Sequence, residues 1–119
     1  MPLLGGEKYG VDKIYYNSGK LLADLNCDGS KLEGISKVYY ESGKLRMELS
    51  FKNNELEGVS REYYEMGSLK TLWHYSYGKK EGVTAIYYED GVLKWEANFK
   101  DGKLEGIPKE YSGTGRVKY

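Results

Sequence analysis

Apolar and polar positions alternate along most of this chain, and glycine breaks the alternation at regular intervals. Residues 34–57 are typical: they open Gly-Ile-Ser-Lys-Val-Tyr-Tyr, pass through Ser-Gly, and continue Leu-Arg-Met-Glu-Leu-Ser-Phe-Lys. A period of two marks a strand whose two faces meet different surroundings, so each such stretch predicts two short strands. The first holds a β-branched residue and a tyrosine pair; the second alternates apolar and polar residues. No segment shows the 3.6-residue period of an amphipathic helix.

The stretch recurs. Tyr-Tyr-x-x-Gly begins at Tyr15, Tyr39, Tyr63 and Tyr87, with a degraded copy at Tyr111, and Glu-Gly followed by Val or Ile begins at Glu33, Glu57, Glu81 and Glu105. With Gly10, Gly34, Gly58, Gly82 and Gly106 as starting points, the spacing is 24 residues and no copy carries an insertion. The chain is therefore one repeat array over residues 1–119: a partial copy at 1–9, full copies at 10–33, 34–57, 58–81 and 82–105, and a partial copy at 106–119.

Turn chemistry joins the strands. Within each copy, Ser18-Gly19, Ser42-Gly43, Met66-Gly67, Asp90-Gly91 and Thr114-Gly115 read as two-residue hairpin loops, glycine supplying the positive φ they require. That register sets Glu41 opposite Lys44, Lys37 opposite Glu48 and Lys13 opposite Asp24, so unlike charges meet across the hairpin. The third copy departs from this, with Arg61 opposite Leu72. Between copies, Gly5-Gly6, Asn53-Asn54, Tyr77-Gly78 and Asp101-Gly102 read as two-residue links. They pair Phe51 with Leu56 and Phe99 with Leu104, and set Leu49 opposite Gly58 and Trp73 opposite Gly82. Because the repeat length is even, the parity of the two faces survives from copy to copy. The expected fold is all-β, a single-layer antiparallel meander of roughly nine or ten strands, of ordinary strand length.

One face of that sheet collects Tyr40, Leu45, Met47, Leu49 and Phe51, then Tyr64, Leu69, Trp73 and Tyr75, then Ile86, Tyr88, Leu93, Trp95 and Phe99. The other collects Tyr15, Tyr39, Tyr63, Tyr87 and Tyr111 among charges. No second layer is encoded to cover the apolar face, so the sheet must curl over it, pack on another copy, or bind a partner. Tyr16, Tyr40, Tyr64 and Tyr88 are expected to pack on Leu21, Leu45, Leu69 and Leu93 as structure. The candidate binding surface comprises Tyr39, Tyr63 and Tyr87 on one face and Trp73, Trp95 and Phe99 on the other.

Composition narrows the function. Thirteen tyrosines against two Phe and two Trp suit strands that are only half covered. Eighteen Lys plus Arg balance eighteen Asp plus Glu, so no global charge draws nucleic acid or an anionic membrane. One cysteine, Cys27, excludes an internal disulfide and agrees with a reducing compartment. The first residues lack the apolar run of a secretory signal, and no stretch approaches a membrane-spanning helix; a cytoplasmic location is expected. His74 falls in a polar surface column and Cys27 in an apolar one, so neither forms part of a nucleophile–base or metal constellation. The glycines are taken up by turns and repeat starts, leaving none for a phosphate loop. No enzyme activity and no cofactor are expected.

The run Gly58 to Lys70, Gly-Val-Ser-Arg-Glu-Tyr-Tyr-Glu-Met-Gly-Ser-Leu-Lys, resembles the MORN repeat. Gly34 to Leu45 and Gly82 to Gly106 more closely resemble its bacterial variant, with a Tyr-Tyr-x-x-Gly-Lys-Leu hairpin and an Asn/Asp-Gly-Lys-x-x-Gly link. The resemblance implies a non-catalytic interaction or scaffold module, and the antitoxin component of a bacterial toxin–antitoxin system is one role it suggests. It also implies, as the alternative, a module attached to membrane phospholipid. Partners expected are an unidentified protein, or a second copy met through edge strands or the apolar face, and no nucleic acid.

Overall fold

The computed structural model describes residues 9–113, which form one open antiparallel sheet without a helix. Its strands are β1 (Tyr9–Tyr15), β2 (Leu21–Asp28), β3 (Lys31–Leu32), β4 (Gly34–Tyr39), β5 (Leu45–Lys52), β6 (Glu55–Leu56), β7 (Gly58–Tyr63), β8 (Leu69–Ser76), β9 (Lys79–Lys80), β10 (Gly82–Tyr87), β11 (Leu93–Lys100) and β12 (Lys103–Glu110). Nine of them follow the order β1-β2-β4-β5-β7-β8-β10-β11-β12, and the three two-residue strands pair only with the strand before them. The expected turns at Gly5-Gly6 and Thr114-Gly115 lie outside the described residues.

The hairpins differ from the expected two-residue loops. Gly43 N–H donates to the Tyr40 carbonyl and Tyr40 N–H to the Lys44 carbonyl, both at 2.9 Å. The loop therefore has three residues, Glu41-Ser42-Gly43, and Glu41 does not face Lys44. Gly43, at φ 92°, closes it in the left-handed region, the geometry of a three-residue hairpin loop. A bulge between Val38 and Tyr39 then absorbs the extra residue, so that farther along Lys37 faces Glu48 as expected. The other copies do the same, with Lys13 opposite Asp24 and Arg61 opposite Leu72. The bulge has a consequence for the faces. Leu45 stands opposite Tyr39 and lines a depression with Glu48 and Tyr63, so it leaves the apolar face assigned to it. In its place the Arg46 guanidinium lies 5.7 Å from the Tyr40 ring centroid. Lys70 over Tyr64 and Lys94 over Tyr88, each at 5.6 Å, repeat the arrangement. A tyrosine–cation pair thus stands where tyrosine–leucine packing was expected.

Three of the described links between copies are two-residue turns with both residues in the left-handed region: Asn53 and Asn54 at φ 51° and 68°, Tyr77 and Gly78 at 49° and 81°, Asp101 and Gly102 at 52° and 80°; in the link Gly29-Ser30 only Gly29, at 70°, is there. Phe51 faces Leu56 and Phe99 faces Leu104, as expected. Beyond that point the ladder breaks and resumes only at Glu48↔Arg61. Leu49 therefore does not face Gly58; Gly58 faces Tyr75 and Gly82 faces Phe99, each across its own hairpin. The break occurs where Gly58 adopts φ 87°, which a residue with a Cβ resists.

The break also builds a joint between repeats. The Glu33 carboxylate accepts the Asn53 N–H at 3.0 Å, and the Leu32 carbonyl accepts the Asn54 N–H at 3.0 Å. Glu57 and Leu56 hold Tyr77 and Gly78 in the same way at 2.7 and 2.9 Å. Glu81 and Lys80 hold Asp101 and Gly102 at 3.0 and 2.9 Å. Each Glu-Gly pair is thus a clamp on the linking turn of the next copy.

The Cα atoms span 50 × 33 × 17 Å. A flat single sheet would be only as deep as its pleat, so the 17 Å depth measures twist and curl. Among the described residues the buried positions are mostly small: Ala23, Cys27, Ser36, Ser60, Thr71, Thr84, Ala85 and Ala97, together with Asp12. Ser36 and Ser60 Oγ accept the N–H groups of Asn26 and Ser50 at 3.1 and 3.3 Å, bridging the broken ladder.

A candidate binding surface on the curled sheet

The tyrosine pair divides its labour between the faces. The second tyrosine of each pair reaches across to the next copy: the hydroxyls of Tyr16, Tyr40 and Tyr64 donate to the carbonyls of Tyr39, Tyr63 and Tyr87 at 2.6 Å, and Tyr88 to that of Tyr111 at 2.9 Å. The first tyrosine reaches back on the charged face. Tyr39 donates to Asp24 Oδ2 at 3.1 Å, Tyr63 to Glu48 Oε1 at 2.7 Å and Tyr111 to Glu96 Oε1 at 2.7 Å. Burial, then the hydrogen bond and charge of the neighbouring carboxylate, pushes the Tyr39 and Tyr63 phenols above their ordinary pKa of 10.0. Tyr87 is the exception, because Leu72 occupies the column that holds the carboxylate elsewhere. Of the three candidate tyrosines, Tyr39 and Tyr63 are thus tethered by their hydroxyls to carboxylates, and Tyr87 has Leu72 at the corresponding position instead.

On the opposite face Met47, Leu49, Phe51, Trp73, Tyr75, Trp95 and Phe99 are all half-buried. None is sealed by a second layer, and none is fully exposed. Trp73 stands across from buried Ser60, and Trp95 across from Ile86. Lys80 lies over the Phe99 ring, its Nζ 4.9 Å from the centroid. The structure therefore places Trp73, Trp95 and Phe99 on one face of the sheet, and keeps Tyr39, Tyr63 and Tyr87 on the other. The cations Arg46, Lys70 and Lys94 were missed at sequence level, because only the bulge turns them toward the tyrosine rings.

Cys27 and His74 lie on β2 and β8, with β4, β5 and β7 between them. Four inter-strand steps put them about 19 Å apart, which rules out their acting as a pair. Burial raises the Cys27 thiol above its ordinary pKa, leaving little of the nucleophilic thiolate. His74 Nδ1 lies 2.7 Å from the Val83 carbonyl, which ties the ring to the neighbouring strand. Among the described residues no group of three or more His, Cys, Asp and Glu is placed to hold a metal ion, and no helix is long and apolar enough to cross a membrane.

The model of the MORN repeat variant matches residues 32–53, 56–77 and 80–101, more than half of the chain, in the same 24-residue frame. The chain belongs to this family. Each matched unit of the MORN array runs from a two-residue strand through a hairpin to the next linking turn, so the family's unit contains both the clamping glutamate and the first turn residue that it holds. MORN repeats are in general non-catalytic modules of interaction or membrane association. No curated protein matches the chain as a relative.

Proposed function

We propose that this MORN array is a protein-binding module that works through its apolar face. The carrying observation is that Met47, Leu49, Phe51, Trp73, Tyr75, Trp95 and Phe99 share one face of a single-layer sheet and none of them is fully buried. Aromatic and Met side chains are the residues enriched at protein interfaces, and an array of repeats offers them along an extended concave surface. The tyrosines of the other face support this reading, since Tyr39 and Tyr63 already spend their hydroxyls on Asp24 and Glu48. A toxin held inactive by the array is the finer form that the family resemblance suggests.

Trp95→Ser tests the reading. With partner capture from the source cell as readout, the variant should keep its β-type circular dichroism and lose the proteins that wild type retains. Identical capture by both would overturn the reading. Phospholipid vesicles are the counter-probe: co-sedimentation of wild type that Trp95→Ser leaves unchanged would favour membrane association through another surface.

A further inference from the structure

The cations of the apolar face form a row with a fixed step. Arg46 on β5, Lys70 on β8 and Lys94 on β11 lie 5.7, 5.6 and 5.6 Å from the ring centroids of Tyr40, Tyr64 and Tyr88. Those rings are held by their hydroxyls, bonded to the carbonyls of Tyr63, Tyr87 and Tyr111 in the next copy, so the row is set before any partner arrives. One carboxylate serves two of the three cations: Glu62 Oε2 lies 3.8 Å from Arg46 Nε and 3.9 Å from Lys70 Nζ. It is the covered partner, its side chain 15% exposed against 45% and 41% for theirs. One repeat on, between Lys70 and Lys94, the same column holds Ile86, which faces Trp95. Glu110 resumes the column beyond Lys94. The interval from Lys70 to Lys94 thus offers two cations with an aliphatic and an aromatic side chain between them. Its complement is a partner with anionic groups over the cations and apolar groups in between.

The step decides that partner's conformation. Strand β7 lies between β5 and β8, and β10 between β8 and β11, so two inter-strand spacings, about 9.6 Å, separate successive cations. A polyproline II helix returns to the same face every third residue, after about 9.3 Å. From Arg46 to Lys94 it drifts by less than about 1 Å. An α-helix returns after seven residues and about 10.5 Å, and drifts by about 2 Å over the same distance. A β-strand presents same-face residues after about 6.7 or 13.4 Å and misses the step. We propose that this row recognises an extended polyproline II segment of a partner protein with an acidic residue at every third position. The carboxylates meet Arg46, Lys70 and Lys94, and the spacer residues lie on Ile86 and Trp95. Such segments dock on aromatic surfaces with little conformational entropy left to lose, and the tyrosine row supplies one. The inference rests on the apolar-face reading for its choice of face and adds the partner's charge and conformation.

Fluorescence anisotropy with labelled synthetic peptides tests it on the full chain. A peptide of repeated Glu-Pro-Pro triplets should bind with a midpoint below roughly 1 mM. The same residues with the glutamates gathered at one end keep the charge and lose the step, and should bind roughly tenfold more weakly. Lys70→Gln and Lys94→Gln should each weaken the triplet peptide by roughly threefold to fivefold. Lys37→Gln, opposite Glu48 on the other face, should leave it unchanged. No binding of the triplet peptide, equal binding of both peptides, equal loss from Lys37→Gln, or tighter binding of a helical peptide with glutamate at every seventh position would each overturn the proposal. So would phosphatidylserine vesicles that sediment with wild type and not with Lys70→Gln while the two peptides bind alike, which would assign the row to a lipid surface. Proteins captured by wild type and lost by Trp95→Ser, beside a triplet peptide that does not bind, would sink this inference and leave the apolar-face reading standing.

Discussion

Each tyrosine of the pair is a strand residue by propensity and a tether by geometry, and the tether depends on what its hydroxyl meets. Tyr63 donates to Glu48 Oε1 at 2.7 Å, a bond to a charged acceptor. Tyr63→Phe should therefore cost about 1.5–3 kcal/mol by urea unfolding. Tyr87→Phe, whose ring faces the Leu72 column, should cost well under 1 kcal/mol, about the size of an ordinary surface change. The same phenols set an alkaline limit. Burial raises Tyr39, Tyr40, Tyr63, Tyr64 and Tyr75 above 10.0, so the fold favours the protonated phenol. That stability is complete below pH 10.0 and is lost as pH climbs from there through the folded values. Absorbance near the tyrosinate band should show these phenols ionising later than free tyrosine, with unfolding following as they do. Unfolding that is flat with pH across this range would contradict it.

At the scale of the element, the two kinds of turn do different work. The hairpin loop needs only its glycine, whereas the linking turns Asn53-Asn54, Tyr77-Gly78 and Asp101-Gly102 hold two residues at positive φ and give two N–H groups to the clamp before them. Tyr77 is the weak member of this series. It holds φ 49° with its ring 77% exposed, so little burial offsets the backbone cost. An L-residue in that region loses roughly 1–2 kcal/mol, less for Asn. Tyr77→Asn keeps the N–H that Glu57 accepts and should raise stability by about 1 kcal/mol, read as a higher urea midpoint at constant slope. A lower midpoint would mean that the exposed ring contributes packing in solution.

At the scale of the molecule, the array is one-dimensional, because each copy is joined only to its neighbours by ladder, clamp and tyrosine hydroxyl. Stability in such a protein is close to a sum of repeat and interface contributions. Deleting residues 58–81 removes one whole copy and joins Glu57 to Gly82 in the same frame. The shortened chain should fold with an unchanged β spectrum, and its urea slope should fall by roughly a fifth, in proportion to the surface it exposes. Loss of cooperative unfolding would show that the third copy carries contacts the repeat frame does not describe.

By itself the sequence determined the repeat length, the strand-hairpin-strand order, the linking turns and the far register of each hairpin. These are local properties: period-two alternation, turn glycines at fixed offsets, and the charge pairs Lys13–Asp24 and Lys37–Glu48 that agree with only one pairing. It also determined which large side chains share the apolar face at Trp73, Trp95 and Phe99, because an even repeat conserves parity. Only the tertiary structure decided the bulge at Val38–Tyr39, since a loop of two residues and a loop of three followed by a bulge lead to the same register farther out. That bulge moved Leu45 off the apolar face and brought Arg46 to Tyr40. The role of Glu-Gly was likewise hidden. Its carboxylate acts on a turn 20 residues away, a contact that exists only after two copies have stacked.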